Sequence, residues 1–291
     1  TKHISIVTNL SVLMVVCESD NYGYLKQSIQ SIIDQTLKPS ELILIINGYF
    51  EAQNVDDLKN EFSNKIELGV YSLDNNYGLA YALNFGLSKC NFDLVARMDP
   101  DDISLPERFE MQYSLMLNNP HLAASSAWIE EFNEDLTESK GVRTTPLGDI
   151  NIDNQYAKLR SPLNHIPAII RKSIILKIGG YPNFKKGQDY ALWSLVLVKG
   201  YKLRNIGKVL AKVRSSSTKT DRRGIKRLYS EIPVIFFQYK ISYLSLYEFI
   251  FSLTIRVTMR LLPYKIRKLV FKKLRSKAEK LKNIDFQKSS S

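Results

Sequence analysis

The sequence has few of the residues that build disulfide frameworks or zinc sites, with two cysteines and three histidines in 291 residues. Cys17 and Cys90 make no disulfide framework, which favours a reducing compartment. The histidines are too scattered to build a zinc site. No stretch reaches the roughly 18 uncharged apolar residues of a spanning helix, and the N-terminus lacks a secretory pattern, so we expect neither feature.

The motifs of several enzyme classes are also absent. The sequence has no G-x-x-x-x-G-K-[ST] loop and no G-x-G-x-x-G after its first predicted strand, so P-loop and dinucleotide-binding interpretations lose support. It has no H-E-x-x-H, no paired C-x-x-C and no G-x-S-x-G. Zinc-enzyme and serine-hydrolase interpretations therefore lose support as well.

Charge is divided unevenly along the chain. Residues 1–198 carry 17 Lys or Arg against 24 Asp or Glu, whereas residues 199–291 carry 24 against 5. The chain therefore has an acidic body and a very basic tail, which indicates two surfaces with different functions. The length suits one large α/β domain with an appendage.

Apolar β-rich runs and helical spacings alternate through the first hundred residues. Strands are predicted at 11–17, 41–46, 66–73 and 94–98, and helices at 24–35, 55–63 and 78–88. This alternation predicts right-handed βαβ units and a mostly parallel sheet. Ligands bind beyond the carboxyl ends of such strands, where Cys17-Glu18, Asn47-Gly48 and the acidic residues after position 98 fall.

Three carboxylates follow the predicted strand at 94–98. Asp99 and Asp101 share one side of an extended segment, and Asp102 is adjacent. Like charges this close disfavour joint ionisation unless a cation lies beside them, and Mg²⁺ or Mn²⁺ prefers such ligands. The alternative is a solvated turn in which Asp102 or Ser104 caps the next helix. The position at the end of a parallel strand favours the metal site.

Four ordered blocks, over about residues 10–215, resemble family 2 glycosyltransferases of bacterial O-antigen, capsule or exopolysaccharide synthesis. The blocks are SVLMVVCESDNYGYLKQSIQSIIDQTLKPSELILIING, NNYGLAYALNFGLSKCNFDLVARMDPDDISLPERFEMQ, NHIPAIIRKSIILKIGGY and GQDYALW. The resemblance implies an α/β chain with the GT-A nucleotide-sugar-binding fold, a mostly parallel central sheet flanked by helices. It implies a catalytic domain at 1–230. The composition of the tail predicts, in addition, a basic amphipathic helical, membrane-associated region at 231–291.

The resemblance also implies roles for individual residues. Asp101 would ligate the Mn²⁺ or Mg²⁺ that bridges the donor diphosphate, and Asp99 would contact the nucleoside or the donor sugar. Asp189 would be the general base. The other implied donor-side positions are Cys17, Glu18, Asn47, Asn76 and Gly78.

The chain departs from the family pattern at three positions. Asn47 stands where the family often has Asp, Gln188 where it usually has Glu, and Cys17 where an aromatic residue is common. An amide can still donate to and accept from a uracil edge. With Cys17 in place of an aromatic side chain, we expect the site that binds the nucleobase to be looser.

Several candidates have a structural alternative. Asp189 could cap the helix predicted at 190–198. His165 could be structural rather than close to a substrate. Tyr181 could stack on a sugar or belong to a turn, and residues 214–223 could form a lid over diphosphate or a solvated linker.

The basic tail mixes cations with apolar residues at helical spacing. The apolar stripes contain Val257, Leu261 and Leu262, then Ile266, Leu269, Val270 and Leu274. Such helices lie in the interface of anionic membranes. Alternatively, the first stripe packs on the catalytic domain and the second is solvated surface. No nucleic-acid module is recognisable, so we predict no nucleic-acid partner, with a nonspecific basic helix as the other explanation of the charge.

Together these inferences predict an inverting, metal-dependent glycosyltransferase that uses a nucleotide-sugar donor, UDP-linked by preference. The predicted acceptor is a lipid-linked saccharide in O-antigen or capsule synthesis. The predicted location is cytoplasmic, peripheral on the inner face of the plasma membrane. The rival hypothesis is a non-catalytic membrane- or polyanion-binding protein that retains a nucleotide-sugar-binding fold. Donor turnover separates the two.

Overall fold

The computed structural model describes residues 8–215 and 225–261. Its first half alternates strands and helices, with β1 at Leu10–Val16, α1 at Tyr22–Ile33, β2 at Glu41–Asn47, α2 at Ala52–Phe62, β3 at Glu67–Leu73, α3 at Leu79–Lys89 and β4 at Leu94–Met98. Each element lies within a few residues of its predicted position, so the α/β prediction is confirmed. The start of α1 has a local cause, because the side chain of Asn21 caps it by accepting from the Tyr24 amide.

The second half has more strands than the sequence predicts. Its elements are β5 at Ile103–Ser104, α4 at Arg108–Asn118, β6 at Leu122–Phe132, β7 at Ser139–Arg143, β8 at Gly148–Ile150, α5 at Gln155–Leu159, β9 at Ile169–Arg171, α6 at Lys172–Lys177, α7 at Gln188–Val198, β10 at Lys202–Arg214, α8 at Ile225–Lys240 and α9 at Leu246–Leu261. Helix α7 confirms the helix predicted at 190–198, and α4 is the helix that follows the acidic residues. Strands β6 and β10 were not predicted, because small and polar residues interrupt their apolar pattern.

Within the described residues, ten strands form one sheet with the path β3-β2-β1-β4-β9-β6-β10-β5. Strands β3, β2, β1 and β4 are parallel neighbours, and β10 runs parallel to β6. Strand β9 is antiparallel to both β4 and β6. The longer ladders are parallel, and the central β1 brings the carboxyl ends of β2 and β4 to either side of its own.

Helices cover both faces of the sheet. On one face Leu13 of β1 packs in a core with Leu83 and Leu87 of α3. Helix α3 comes close enough that a Cβ at Gly86 would lie 2.3 Å from the Leu13 side chain. On the other face, β1 shares a core with α1 and α4. Because burial of each such side chain stabilises by about 1.5–3 kcal/mol, both faces hold β1 in place.

The helices α8 and α9 form a hairpin that packs on α7. Val234 of α8 lies in a cluster with Tyr190 and Ala191, and Gln238 Nε2 donates to Ser194 Oγ at 2.7 Å. Helix α8 crosses the boundary predicted between residues 230 and 231, and that domain division stays a prediction. In the two described ranges, no helix is both long and apolar enough to cross a bilayer. The stripe from Ile266 to Leu274 lies outside them.

Candidate active site at the carboxyl edge of the sheet

The predicted donor-side residues after β1 and β2 form one hydrogen-bonded group. Asn47 Nδ2 donates to Asn76 Oδ1 at 3.0 Å and lies 3.8 Å from Cys17 Sγ. Asn76 Oδ1 also accepts from the Gly78 amide at 3.0 Å, and Asn47 Oδ1 accepts from the Tyr77 amide at 3.0 Å. The structure therefore brings together Cys17, Asn47, Asn76 and Gly78.

This group consists of neutral side chains that bond one another. Asn47 is buried, and its donor and acceptor ends both have protein partners. It thereby holds the loop at Tyr77-Gly78 against the end of β2. Burial, followed by the charge of Asp20, raises the pKa of the Cys17 thiol, which favours its neutral form. Glu18 lies exposed in the turn beyond β1.

A cavity of about 460 Å³ opens beside this group, at the carboxyl ends of β2 and β3. Its lining includes Gly48, Tyr49, Phe50 and Asp74. This volume lies within the range of small-ligand pockets. The two aromatic residues were not singled out by the sequence analysis, although they follow the predicted second strand directly.

The three carboxylates predicted to bind metal converge at the end of β4. Oxygens of Asp99, Asp101 and Asp102 all lie within 4.8 Å of one another. Burial, then the charges of Asp99 and Asp101, raises the pKa of Asp102 well above its usual value. A bound divalent cation would offset this repulsion, and carboxylate oxygens are the ligands that Mg²⁺ and Mn²⁺ prefer, so these residues fit such an ion.

The alternative assignment of this cluster as a helix cap is wrong. Helix α4 begins after Glu107, which serves as its N-cap residue without a side-chain cap bond. Asp102 instead accepts a hydrogen bond from the backbone amide of Arg214 at 2.9 Å. The Ser104 amide donates to Ser31 Oγ at 3.0 Å. Both residues tie the acidic loop to neighbouring elements.

Arg97 is a site residue that the sequence analysis missed. It lies buried in β4 and forms an ion pair with Asp99. Burial lowers its pKa, but the charge of Asp99 outweighs that effect and the pKa is raised. Among the described residues, its Nε and Nη1 have no hydrogen-bond partner. The signal was an arginine inside an apolar strand, directly before the acidic cluster.

Arg214 fixes the acidic loop from the opposite side. Its guanidinium donates to the backbone oxygen of Asp101 and to Gln27 Oε1, and it lies 4.1 Å from the centre of the Tyr24 ring. The first residue of the predicted lid is therefore anchored at the end of β10. Residues 216–223 of that lid lie outside the described residues, so the lid stays a prediction.

Asp189 lies in the first turn of α7. Gly187, with φ at 78°, is the N-cap residue, so the alternative in which Asp189 caps the helix is wrong. Burial raises the pKa of Asp189, while the amides of Tyr190 and Asp189 itself and the charges of Arg97 and Arg143 oppose the rise. The predicted base therefore lies close enough to Arg97, which pairs with Asp99, for the charge of that arginine to lower its pKa.

The partly buried His165 and the buried Tyr181 contact each other. His165 Nε2 lies 3.0 Å from the Tyr181 hydroxyl, and burial followed by the charge of Arg97 lowers the pKa of His165 well below its usual value. Tyr181 is only 3% exposed, so the prediction that it stacks on a sugar is wrong. The predicted turn is confirmed, with the Tyr181 amide donating to Asn84 Oδ1 at 2.8 Å.

Known proteins resemble this chain in both sequence and fold. The profile described as "Glycosyl transferase family 2" matches residues 11–179. An Escherichia coli protein named UDP-Gal:alpha-D-GlcNAc-diphosphoundecaprenol beta-1,3-galactosyltransferase is 35% identical over 91% of this chain and 95% of its own length. The amylovoran biosynthesis glycosyltransferase AmsE of Erwinia amylovora is 32% identical over 90% and 98%.

A crystal structure of S. aureus TarS 1–349 in complex with UDP aligns with a TM-score of 0.64 at 15% identity, covering 84% of this chain and 70% of that one. This likeness confirms the expected fold. The extent of the profile match and the identity to full-length relatives establish the family: the chain belongs to glycosyl transferase family 2.

Proposed function

We propose that this protein transfers a hexosyl group from a UDP-sugar to a hydroxyl of a lipid-linked saccharide, with inversion at the anomeric carbon. The observation that carries the proposal is the acidic cluster at the end of β4, whose carboxylate oxygens lie within 4.8 Å of one another. It lies at the carboxyl edge of a family 2 fold, where ligands of parallel sheets bind. A non-catalytic polyanion-binding protein would have no use for three crowded carboxylates at this edge.

Asp189 is assigned as the general base. In the proposed step the acceptor oxygen bonds to the anomeric carbon, the bond from that carbon to the diphosphate oxygen breaks, and UDP leaves with the electron pair. Asp189 takes the acceptor proton as the new bond forms. A single displacement inverts the anomeric centre and needs no second carboxylate nucleophile. The raised pKa of Asp189 suits a base, because proton affinity increases with pKa.

Asp101 is assigned as a ligand of Mn²⁺ or Mg²⁺, with Asp99 beside the donor. When bound, the cation supplies Lewis-acid neutralisation of the departing diphosphate. Arg97 holds the Asp99 carboxylate by its ion pair, and Arg214 holds the backbone of Asp101. The nucleoside is assigned to the side of Asn47, with Tyr49 and Phe50 as the aromatic wall that Cys17 does not provide.

The acceptor is proposed to be membrane-borne, since the name of the Escherichia coli relative gives a GlcNAc-diphosphoundecaprenol as that protein's own acceptor. The protein would act in the cytoplasm on the inner face of the plasma membrane, held there by the basic region at 231–291. That region contributes to the net charge of +12. Each Lys or Arg near an anionic surface adds about 1 kcal/mol of attraction.

The test measures UDP release from UDP-galactose and other UDP-sugars, with GlcNAc-diphosphate on a lipid chain as the first acceptor. Asp189→Asn and Asp101→Ala are expected to lower kcat by roughly 10²-fold or more, as for the loss of a base or a metal ligand. EDTA is expected to abolish turnover, and Mn²⁺ or Mg²⁺ to restore it. Glu67→Gln, exposed at the amino end of β3 and so at the opposite edge of the sheet, is the matched control for loss of one carboxylate.

Two results would reject this proposal. One is turnover that persists in EDTA and in both variants, which would reject the assigned roles of the metal and of Asp189. The other is no turnover of any UDP-sugar by folded protein, which would favour the non-catalytic alternative. Retention of configuration in the product would reject the single displacement alone.

A further inference from the structure

The hairpin of α8 and α9 presents a continuous apolar surface to solvent. Its exposed large side chains are Tyr229, Ile232, Phe236 and Tyr239 on α8 and Leu246, Tyr247, Ile250, Phe251 and Ile255 on α9. Tyr247 is 76% exposed and Phe236 58%. The spacings of three, four and seven residues place each set on one helical face. The helices meet through Phe249, whose ring centroid lies 4.9 Å from that of Tyr239 and 5.9 Å from that of Phe236.

The acidic residues of this hairpin are engaged in ion pairs. The sequence has two between 225 and 261, Glu231 and Glu248. Glu248 pairs with Lys158 of α5 at 2.6 Å, and Glu231 lies 3.9 Å from Arg256. Arg256 in turn donates to the backbone oxygen of Leu159 at 3.0 Å. The polar contacts of the hairpin thus face the catalytic body, and its apolar side chains face away.

We infer that this apolar face, defined by its nine exposed side chains, inserts into the interfacial layer of an anionic lipid bilayer. Exposed apolar patches of this extent mark interaction surfaces, and tyrosine and phenylalanine suit the bilayer interface. Both helices have 16 residues, so each lies along the surface rather than across it.

Charge favours a lipid surface over a second copy of the chain. Residues 262–291, which follow α9 directly, carry ten Lys or Arg against two Asp or Glu. Two copies that joined by their apolar faces would bring these cations together, whereas anionic headgroups attract them. The inference adds to the proposed basic anchor a specific apolar element that penetrates the surface.

The hairpin also connects the bilayer to the proposed base. Helix α8 packs on α7 through Val234 and Tyr190, one residue beyond Asp189. Gln238 and Ser194 add a buried hydrogen bond between the same helices. An inserted hairpin would therefore hold the Asp189 side of the site near the membrane, where the proposed acceptor lies. This role of the hairpin in holding the site near the acceptor rests on the proposed function, but the insertion into the bilayer does not.

The test uses the full chain and vesicles of phosphatidylglycerol and phosphatidylethanolamine, with pure phosphatidylcholine for comparison. Tyr247→Gln with Phe251→Gln is expected to weaken partitioning by at least about ten-fold, because two aromatic rings leave the bilayer. Leu117→Gln with Leu176→Gln, which removes two exposed side chains of the catalytic body, is the matched control and should bind as the wild type does.

A reporter variant gives a second measurement. Relative to the emission of the native Trp128 and Trp193, the tryptophan added by Tyr247→Trp should contribute a solvent-exposed emission in buffer. In vesicles with brominated acyl chains that added emission should shift to the blue and be quenched. Equal binding of the two double variants would overturn the inference. So would a Tyr247→Trp emission already blue-shifted in buffer, which would mean that residues 262–291 or a second copy cover the face. The mass in solution distinguishes those two coverings.

Failure of the proposed function would look different. UDP release onto GlcNAc-diphosphate with a short alkyl chain needs no bilayer. Both double variants should match the wild type in that assay. Turnover without a difference in vesicle binding rejects only the insertion, whereas vesicle binding without any turnover rejects only the proposed chemistry.

Discussion

On the β2 side of the candidate site, Asn47 and Asn76 bond each other and the backbone, and no charged side chain takes part in these bonds. On the β4 side, Asp99, Asp101 and Asp102 crowd together around Arg97 and Arg214. The first side is complete as a structure. On the β4 side, neighbouring carboxylates repel one another. This repulsion lowers the stability of the fold and is typical of a ligand-binding site.

Loss of the buried arginine should have the largest effect on this contrast. Arg97→Met removes the ion-pair partner of Asp99 and is expected to lower the free energy of unfolding by about 3 kcal/mol, as when one member of a buried pair is removed. Urea unfolding followed by circular dichroism measures it. Arg97→Lys, which keeps the charge, and Arg97→Met with Asp99→Asn should each recover part of the loss. An equal loss in all three would mean that Arg97 acts through packing alone.

The neutral side should respond through hydrogen bonding. Asn47→Ala leaves the Tyr77 amide without its acceptor and removes one of the two donors to Asn76 Oδ1, at a cost of about 1–3 kcal/mol in unfolding free energy. The KM for the UDP-sugar should rise with kcat little changed, because the loop beside the cavity is released. Asn47→Asp keeps the acceptor for Tyr77 and is the control. A fall in kcat with unchanged KM would contradict the donor-side assignment.

The first half of the chain could be predicted from sequence because its apolar periods are regular. Runs such as ELILII specify a strand buried on both faces without help from distant residues. Strand order alone placed Cys17 and Asn47 at one edge of the sheet, whereas Asn76 was assigned to the same group by the family resemblance. Strands β6 and β10 could not be found, because their pairing, and not their own pattern, determines them.

Contacts distant in sequence decided the remaining site residues. Arg214 reaches Asp101 and Asp102 across more than a hundred residues, so no local pattern marks it. The sequence left Tyr181 between a turn and sugar stacking, because its burial depends on His165 and on the turn held by Asn84. Arg97 is the exception, because it was visible as a charge in an apolar strand and its partner Asp99 is only two residues away.

The charged side should gain stability when one of its charges is removed. Burial and its acidic neighbours raise the pKa of Asp102, so the folded state gains stability as pH falls through that raised pKa. Asp102→Asn should give that gain at neutral pH in EDTA, by more than the roughly 0.5 kcal/mol typical of surface changes. Mn²⁺ should shrink the difference, since a bound cation offsets the repulsion. If Mn²⁺ leaves the stability difference between Asp102→Asn and the wild type unchanged, that result would argue against a cation at the acidic cluster.

The smallest expected effect is a displaced pH profile. The proposed base must be ionised, so kcat/KM should fall about ten-fold per pH unit below the pKa of Asp189, which burial raises above its ordinary value. The charge of Arg143 lowers that pKa, and its side chain is half exposed. Arg143→Met should therefore move the acid limb to higher pH without unfolding the protein, while Arg143→Lys leaves it in place. An acid limb that moves to lower pH in Arg143→Met would place the titrating group elsewhere, because loss of a nearby positive charge can only raise the pKa of a carboxylate.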